Sequence, residues 1–311
     1  MGGIPAGNQN RALSVSIGVK APHALALALW TATCGSPQRL PRPEPVTESA
    51  HFRVLSRDTA VTDVDVATGV DVAERQYAAL SQLLGEERTP QRKITILLEG
   101  DRRSSQDTIA WVDEDGIHLS RVSGRDGGYW GFFDHELVHA FRASYIAEDR
   151  KQRWPYFMFI EEGIAEYLAL EMNPERQVFS TFGLPLDVVA GYWVTAGRDI
   201  PMSDLRERHA ELTGRCSAQA FSQRASWFSH IEQVYGWDKA LEVAYMEVVP
   251  TSEAIEALLG IGYDALDAQW RAWAADRYAD IPRADEVAAT YRERLTGSDL
   301  RLRVCRAGVD Y

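Results

Sequence analysis

Apolar and polar positions along the chain pass from mostly strand-like to helical spacing after about residue 120. Residues 51–55 alternate as a strand does, and residues 70–84 place Val72, Tyr77, Leu80 and Leu84 at helical spacing before Gly85. Residues 93–98 (KITILL) are a continuous β-branched run, the pattern of a strand covered on both faces. Residues 109–112 and 116–120 (GIHLS) read as short strands around a turn at 113–116. From there the period is helical. The spacing predicts a helix over 130–147 and a second, after Pro155, over 160–172. Beyond Gly183 helices are expected at 203–212, 218–235, 238–248, 252–259, 263–278 and 285–295. Strands first and helices later predict an α+β fold. Its sheet part spans 51–130 and its helical part 131–280, followed by a C-terminal helix and tail over 281–311.

The first fifty residues follow another pattern. Lys20 precedes a small-apolar run over residues 24–30, then Thr31, Ala32, Thr33, Cys34, Gly35 and Ser36. A basic residue, a short apolar run and small residues describe an export leader, and the run is too short to span a bilayer. The cysteine at its end resembles the lipidated residue of a bacterial lipoprotein signal. Residues 1–34 are therefore expected to be a signal or a lipoprotein-type leader, the latter with a lipid anchor at Cys34, and the proline-rich residues 35–50 a flexible tether. The protein is expected in the periplasm, the cell envelope or outside the cell. Export makes the two remaining cysteines, Cys216 and Cys305, a disulfide candidate.

A formal charge of −12 excludes nucleic acid as the expected partner, since binding phosphates needs a basic surface. The chemistry lies instead in Asp134-His135-Glu136-Leu137-Val138-His139, an H-E-x-x-H pattern in a chain with only seven histidines. On a helix, His135 and His139 are about 40° apart in projection and one turn apart in height, so both imidazoles can meet one metal ion. Phe133, Leu137 and Phe141 fall on the opposite arc and bury the helix back. Glu136 points about 100° away from His135, too far round to chelate with the histidines but placed to reach a water beside them.

Two imidazoles leave a catalytic zinc one protein ligand short. The candidate segment is Ile160-Glu161-Glu162-Gly163-Ile164-Ala165-Glu166. Glu162 and Glu166 share a helix face: Glu162 can bind the metal while Glu166 accepts the second N–H of a ligand histidine. Glu161, about 100° round, ranks second as ligand.

HELVH followed by a proline and then IEEGIAEY resembles the gluzincin zinc metallopeptidases, above all a compact bacterial group carrying H-E-L-x-H and W-L-x-E-G-x-A-E-Y. The resemblance covers residues 51–280. It implies a zincin-like fold, with a small, mostly antiparallel sheet, an active-site helix and a helical subdomain. It also implies one Zn²⁺ held by His135, His139 and Glu162, Glu166 behind a ligand histidine, and Glu136 as general base in hydrolysis of a peptide or protein substrate. Phe159 stands where the group often has tryptophan. Residues 221–236 are similar to the helix that follows in this group, and the GIHLS strand fits the edge strand that aligns substrate there. No G-x-M-E-N segment precedes the zinc helix, which sets the chain apart from membrane-alanyl aminopeptidases.

One position departs from the pattern. The group often has a tyrosine where this chain has Phe221, and that phenol is a plausible oxyanion stabiliser. Tyr156, Tyr192 and His230 are the candidate substitutes. Two alternatives to a peptidase follow: an exported zinc-binding protein of the same fold with a scaffolding role, and a metal hydrolase of non-peptide amides.

Overall fold

The computed structural model describes residues 43–101, 110–121, 129–145, 158–173, 180–208, 211–212, 216–246 and 250–297. The leader with Cys34, along with Tyr156 and Cys305, lies outside them.

Five strands form one sheet: β1 (Glu44–Glu48), β2 (Phe52–Ser56), β3 (Ile94–Asp101), β4 (Ala110–Asp113) and β5 (Gly116–Arg121), in the order β1-β2-β3-β5-β4. Helix α1 (Asp63–Leu84) lies between β2 and β3 in the chain. A helical crossover brings the chain back to the end of the sheet it left, so β2 and β3 pair in parallel. The pair β3–β5 is also parallel, while β1–β2 and β4–β5 are antiparallel. The sheet is thus mixed, not mostly antiparallel as expected, and the fold class is α+β.

Two further expectations change. β1 pairs with β2 inside the stretch read as tether, so the sheet already includes part of residues 35–50. The GIHLS strand is β5 and is interior; the edge is β4. A tight turn at Glu114-Asp115 folds β5 back between β4 and β3. Gly116 makes this possible: it has φ 134°, and a Cβ there would come 2.3 Å from the Thr95 carbonyl oxygen.

α1 starts well before residue 70. Thr62 caps it by accepting from the Asp65 amide, with Asp63 and Asp65 in the first turn. Its buried face, with Tyr77, Leu80 and Leu84, packs on the sheet face formed by Phe52, Val54, Ile96, Leu98, Ile117 and Leu119. Helix α2 (Phe133–Tyr145), preceded by a 3₁₀ turn at Trp130–Phe132, joins the same core through Phe133, Leu137 and Phe141. Phe133 meets Phe52 edge-on at 5.7 Å and Phe141 meets Tyr77 at 4.9 Å between ring centroids. Each such buried side chain stabilises the fold by roughly 1.5–3 kcal/mol. The same anchoring turns His135 and His139 away from the sheet.

Helix α3 (Met158–Met172) lies against α2 on one side and against α6 (Ser217–Tyr235) on the other. Gly163 sets the second approach. A Cβ at that position would stand 2.9 Å from the Phe228 ring and 3.1 Å from the Arg224 carbonyl oxygen. Among the described residues, the remaining helices are α4 (Leu186–Thr195), α5 (Met202–Glu207), α7 (Trp237–Ala244), α8 (Ser252–Leu259), α9 (Tyr263–Asp280) and α10 (Ala284–Gly297). α4 has no counterpart among the expected helices; its LDVVAGYWVT sequence is mostly apolar and lacks a polar stripe. With α10 it forms a smaller cluster around Tyr192, Trp193 and Tyr291. Among the described residues no helix is long and apolar enough to cross a membrane. Cys216, just before α6, is disulfide-bonded to a partner outside the described residues.

Two outcomes are expected. Gly163→Ala lowers stability by about 1–3 kcal/mol in a urea melt, and Phe228→Leu in that background recovers part of it; an unchanged midpoint contradicts the close approach of α3 and α6. Peptide mapping without reduction recovers Cys216 joined to Cys305; a free Cys305 thiol in that digest refutes this pairing.

Candidate metal centre

α2 supplies two imidazoles from consecutive turns, and α3, running alongside, supplies a carboxylate. His135 Nε2 is 3.1 Å from His139 Nε2 and 3.2 Å from Glu162 Oε2; His139 Nε2 is 3.8 Å from that same oxygen. Among the described residues, His135, His139 and Glu162 are the group whose donor atoms converge closely enough to hold a metal ion, and all three are buried. Four ligands arranged tetrahedrally at zinc–nitrogen and zinc–oxygen distances stand roughly 3.3 Å from one another. The observed triangle brackets that value. Two nitrogens and one oxygen with a fourth position to spare is the donor set of a catalytic zinc, so the residues fit the metal that the sequence implies.

The electrostatics agree. Burial opposes charging of His135, but Glu162 and Glu166 beside it hold its pKa up at about 9. Burial likewise opposes charging of His139, yet Glu161 and Glu162 push its pKa well above the usual histidine range. Burial works against ionisation of Glu162 too, and the two imidazoles outweigh it, holding the carboxyl well below its usual range. The carboxylates thus draw positive charge into the cluster. Nitrogens 3.1 Å apart leave no room for a proton on each, whereas one divalent cation can serve both.

Around the triangle, the structure places each expected residue and adds others. Glu166 Oε2 lies 3.1 Å from His135 Nδ1, as the shared helix face suggested. Ser180, which the sequence reading missed, donates to the other Glu166 oxygen. Its backbone carbonyl accepts from Tyr291 of α10 at 2.9 Å, so the C-terminal helix is tied to the site. Glu161 is not placed as a ligand: Arg142 donates to one of its oxygens, and the other faces His139 Nδ1 at 3.8 Å. Glu136 is buried on α2 and lies near enough to His139 to favour the charged form of that ring.

Phe221, on α6, packs edge-on against His135 at 5.6 Å, so this position does overlook the cluster, but without a hydroxyl. Tyr192 and His230 are placed elsewhere. Tyr192 belongs to the separate cluster with Trp193 and Tyr291. His230 is nine residues along α6 from Phe221, on the opposite helix face, where it contacts Gln269 of α9 at 3.2 Å. Tyr156 lies outside the described residues. A nearby cation that sequence reasoning overlooked is Arg224, buried one turn beyond Phe221 with its guanidinium 5.9 Å from that ring. Burial pulls its pKa down to about 10, and the Glu162 charge pulls against that.

No known protein-family profile matches the chain, and no curated protein does. Among solved structures, an aminopeptidase N family protein from Idiomarina loihiensis aligns at 9% identity with a TM-score of 0.40. The alignment covers 86% of this chain and 47% of that one, so the chain spans about half the length of that protein.

Purified protein should carry about one zinc per chain by elemental analysis. The His135→Ala/His139→Ala double variant should carry none; stoichiometric zinc in it would place the metal elsewhere.

Proposed function

We propose that the chain is a zinc-dependent peptidase of the gluzincin type, exported from the cytoplasm and acting on a peptide or protein substrate. The observation that carries this reading is the buried triangle of His135 Nε2, His139 Nε2 and Glu162 Oε2, flanked by a glutamate that is not part of it. Zinc held there would polarise a carbonyl and lower the pKa of a water from about 15.7 towards 7. The protein's own groups do the rest. Glu136 takes the proton of the attacking water and later returns it to the leaving amine. Glu166, gripped by Ser180, accepts from His135 Nδ1 and so commits Nε2 to the metal. The bonded Cys216 favours an oxidising compartment, in keeping with export.

A second reading has an observation of its own. Phe221 stands over His135 where a phenol would help stabilise an oxyanion, and its bare ring favours a zinc-binding module without catalysis. Hydrolysis of a non-peptide amide would use the same groups, and a substrate panel of peptides and cell-wall amides separates it.

The ordering of three variants is the test. Glu136→Gln should keep zinc and fold while hydrolysis of a peptide library falls by roughly 10²–10⁴-fold. Glu162→Gln should weaken the metal itself, since a neutral amide is the poorer zinc ligand. Glu166→Gln should cost about 10–100-fold in affinity or activity. A Glu136→Gln protein that cleaves as fast as the parent contradicts the assignment.

A further inference from the structure

We infer that Glu161, held by Arg142, is the positioning residue for His139, so that each ligand histidine has a carboxylate of its own behind it. This rests on the proposed zinc site. His139 presents Nε2 to the metal cluster, which leaves Nδ1 to carry the ring proton. That proton needs an acceptor, because the ring is buried. Among the described residues, neither Nδ1 of His139 nor Oε2 of Glu161 has a hydrogen-bond partner. These two buried atoms, one a donor and the other an acceptor, face each other at 3.8 Å. A small rotation of either side chain brings them within hydrogen-bond range.

Arg142 explains why Glu161 can play this part. It lies on α2 one turn past His139, is buried with Glu161, and donates from Nε to Oε1, the oxygen turned away from the histidine. The guanidinium also lies over the Tyr245 ring at 5.5 Å, which fixes it from behind. Arg142 therefore holds Oε1 and leaves Oε2 to the ring. The arrangement parallels the other ligand, where Ser180 holds one oxygen of Glu166 and His135 Nδ1 meets the second.

A purely structural role, in which the ion pair only ties α2 to α3, predicts different behaviour. Zinc affinity would be measured by competition with a chelator, and the His139 Nδ1–H proton followed by NMR in the zinc-loaded protein. Glu161→Gln should weaken zinc about 10–100-fold and shift or broaden the His139 resonance, leaving that of His135 in place. Since Glu161→Gln alone removes a carboxylate partner of Arg142, Glu161→Gln/Arg142→Gln is measured beside it. The double variant should recover thermal stability without recovering affinity. Parental affinity and an unchanged His139 resonance in a folded variant overturn the inference. Failure of the parent to take up zinc overturns the site itself, and this inference with it.

Discussion

Two imidazole nitrogens 3.1 Å apart with a carboxylate oxygen at 3.2 Å, all buried, is an arrangement that folding alone does not favour. Buried ionisable groups cost free energy unless they are paired, and close neighbours of one kind make the cost larger. Here the surroundings balance it. Glu166 and Glu161 lie behind the two rings, Ser180 and Arg142 bind the outer oxygens of those glutamates, and the aromatic backs of α1 and α2 hold the histidine helix in place. The contact that closes the arrangement is between helices: α3 reaches the histidines while packed so closely on α6 that Gly163 has no space for a methyl group.

Much of this was legible in the sequence. H-E-x-x-H on a helix with Phe133, Leu137 and Phe141 behind it fixes which way the histidines point, because helical period and apolar burial admit one answer. The same reasoning placed Glu162 and Glu166 on one face of α3. It could not separate Glu161 from the metal, since the partner that occupies it, Arg142, lies 19 residues away in the chain. Ser180 and Tyr291 were out of reach for the same reason: their contacts to the site bridge distant segments through a loop and a C-terminal helix without local sequence signals.

The sheet shows where local patterning stops. Local patterning found β2 to β5 but not their order, and β5 proved interior because β4 takes the outer place. Parallel pairing of β2 with β3 follows from α1 being the crossover, a topological fact that strand propensity does not carry. Likewise β1 has the composition of a tether, and only its ladder with β2 makes it a strand. The departures fall in the scaffold, whereas residues 135, 139, 162 and 166 meet as spacing required.

The proposed site holds one zinc ion among two imidazoles and a carboxylate. X-ray absorption at the zinc edge tests it most directly. The expected result is a nearest shell of nitrogen and oxygen only, at about 2.0–2.1 Å, with the outer-shell scattering of two imidazole rings. A sulfur shell near 2.3 Å, or a shell without imidazole scattering, would contradict it.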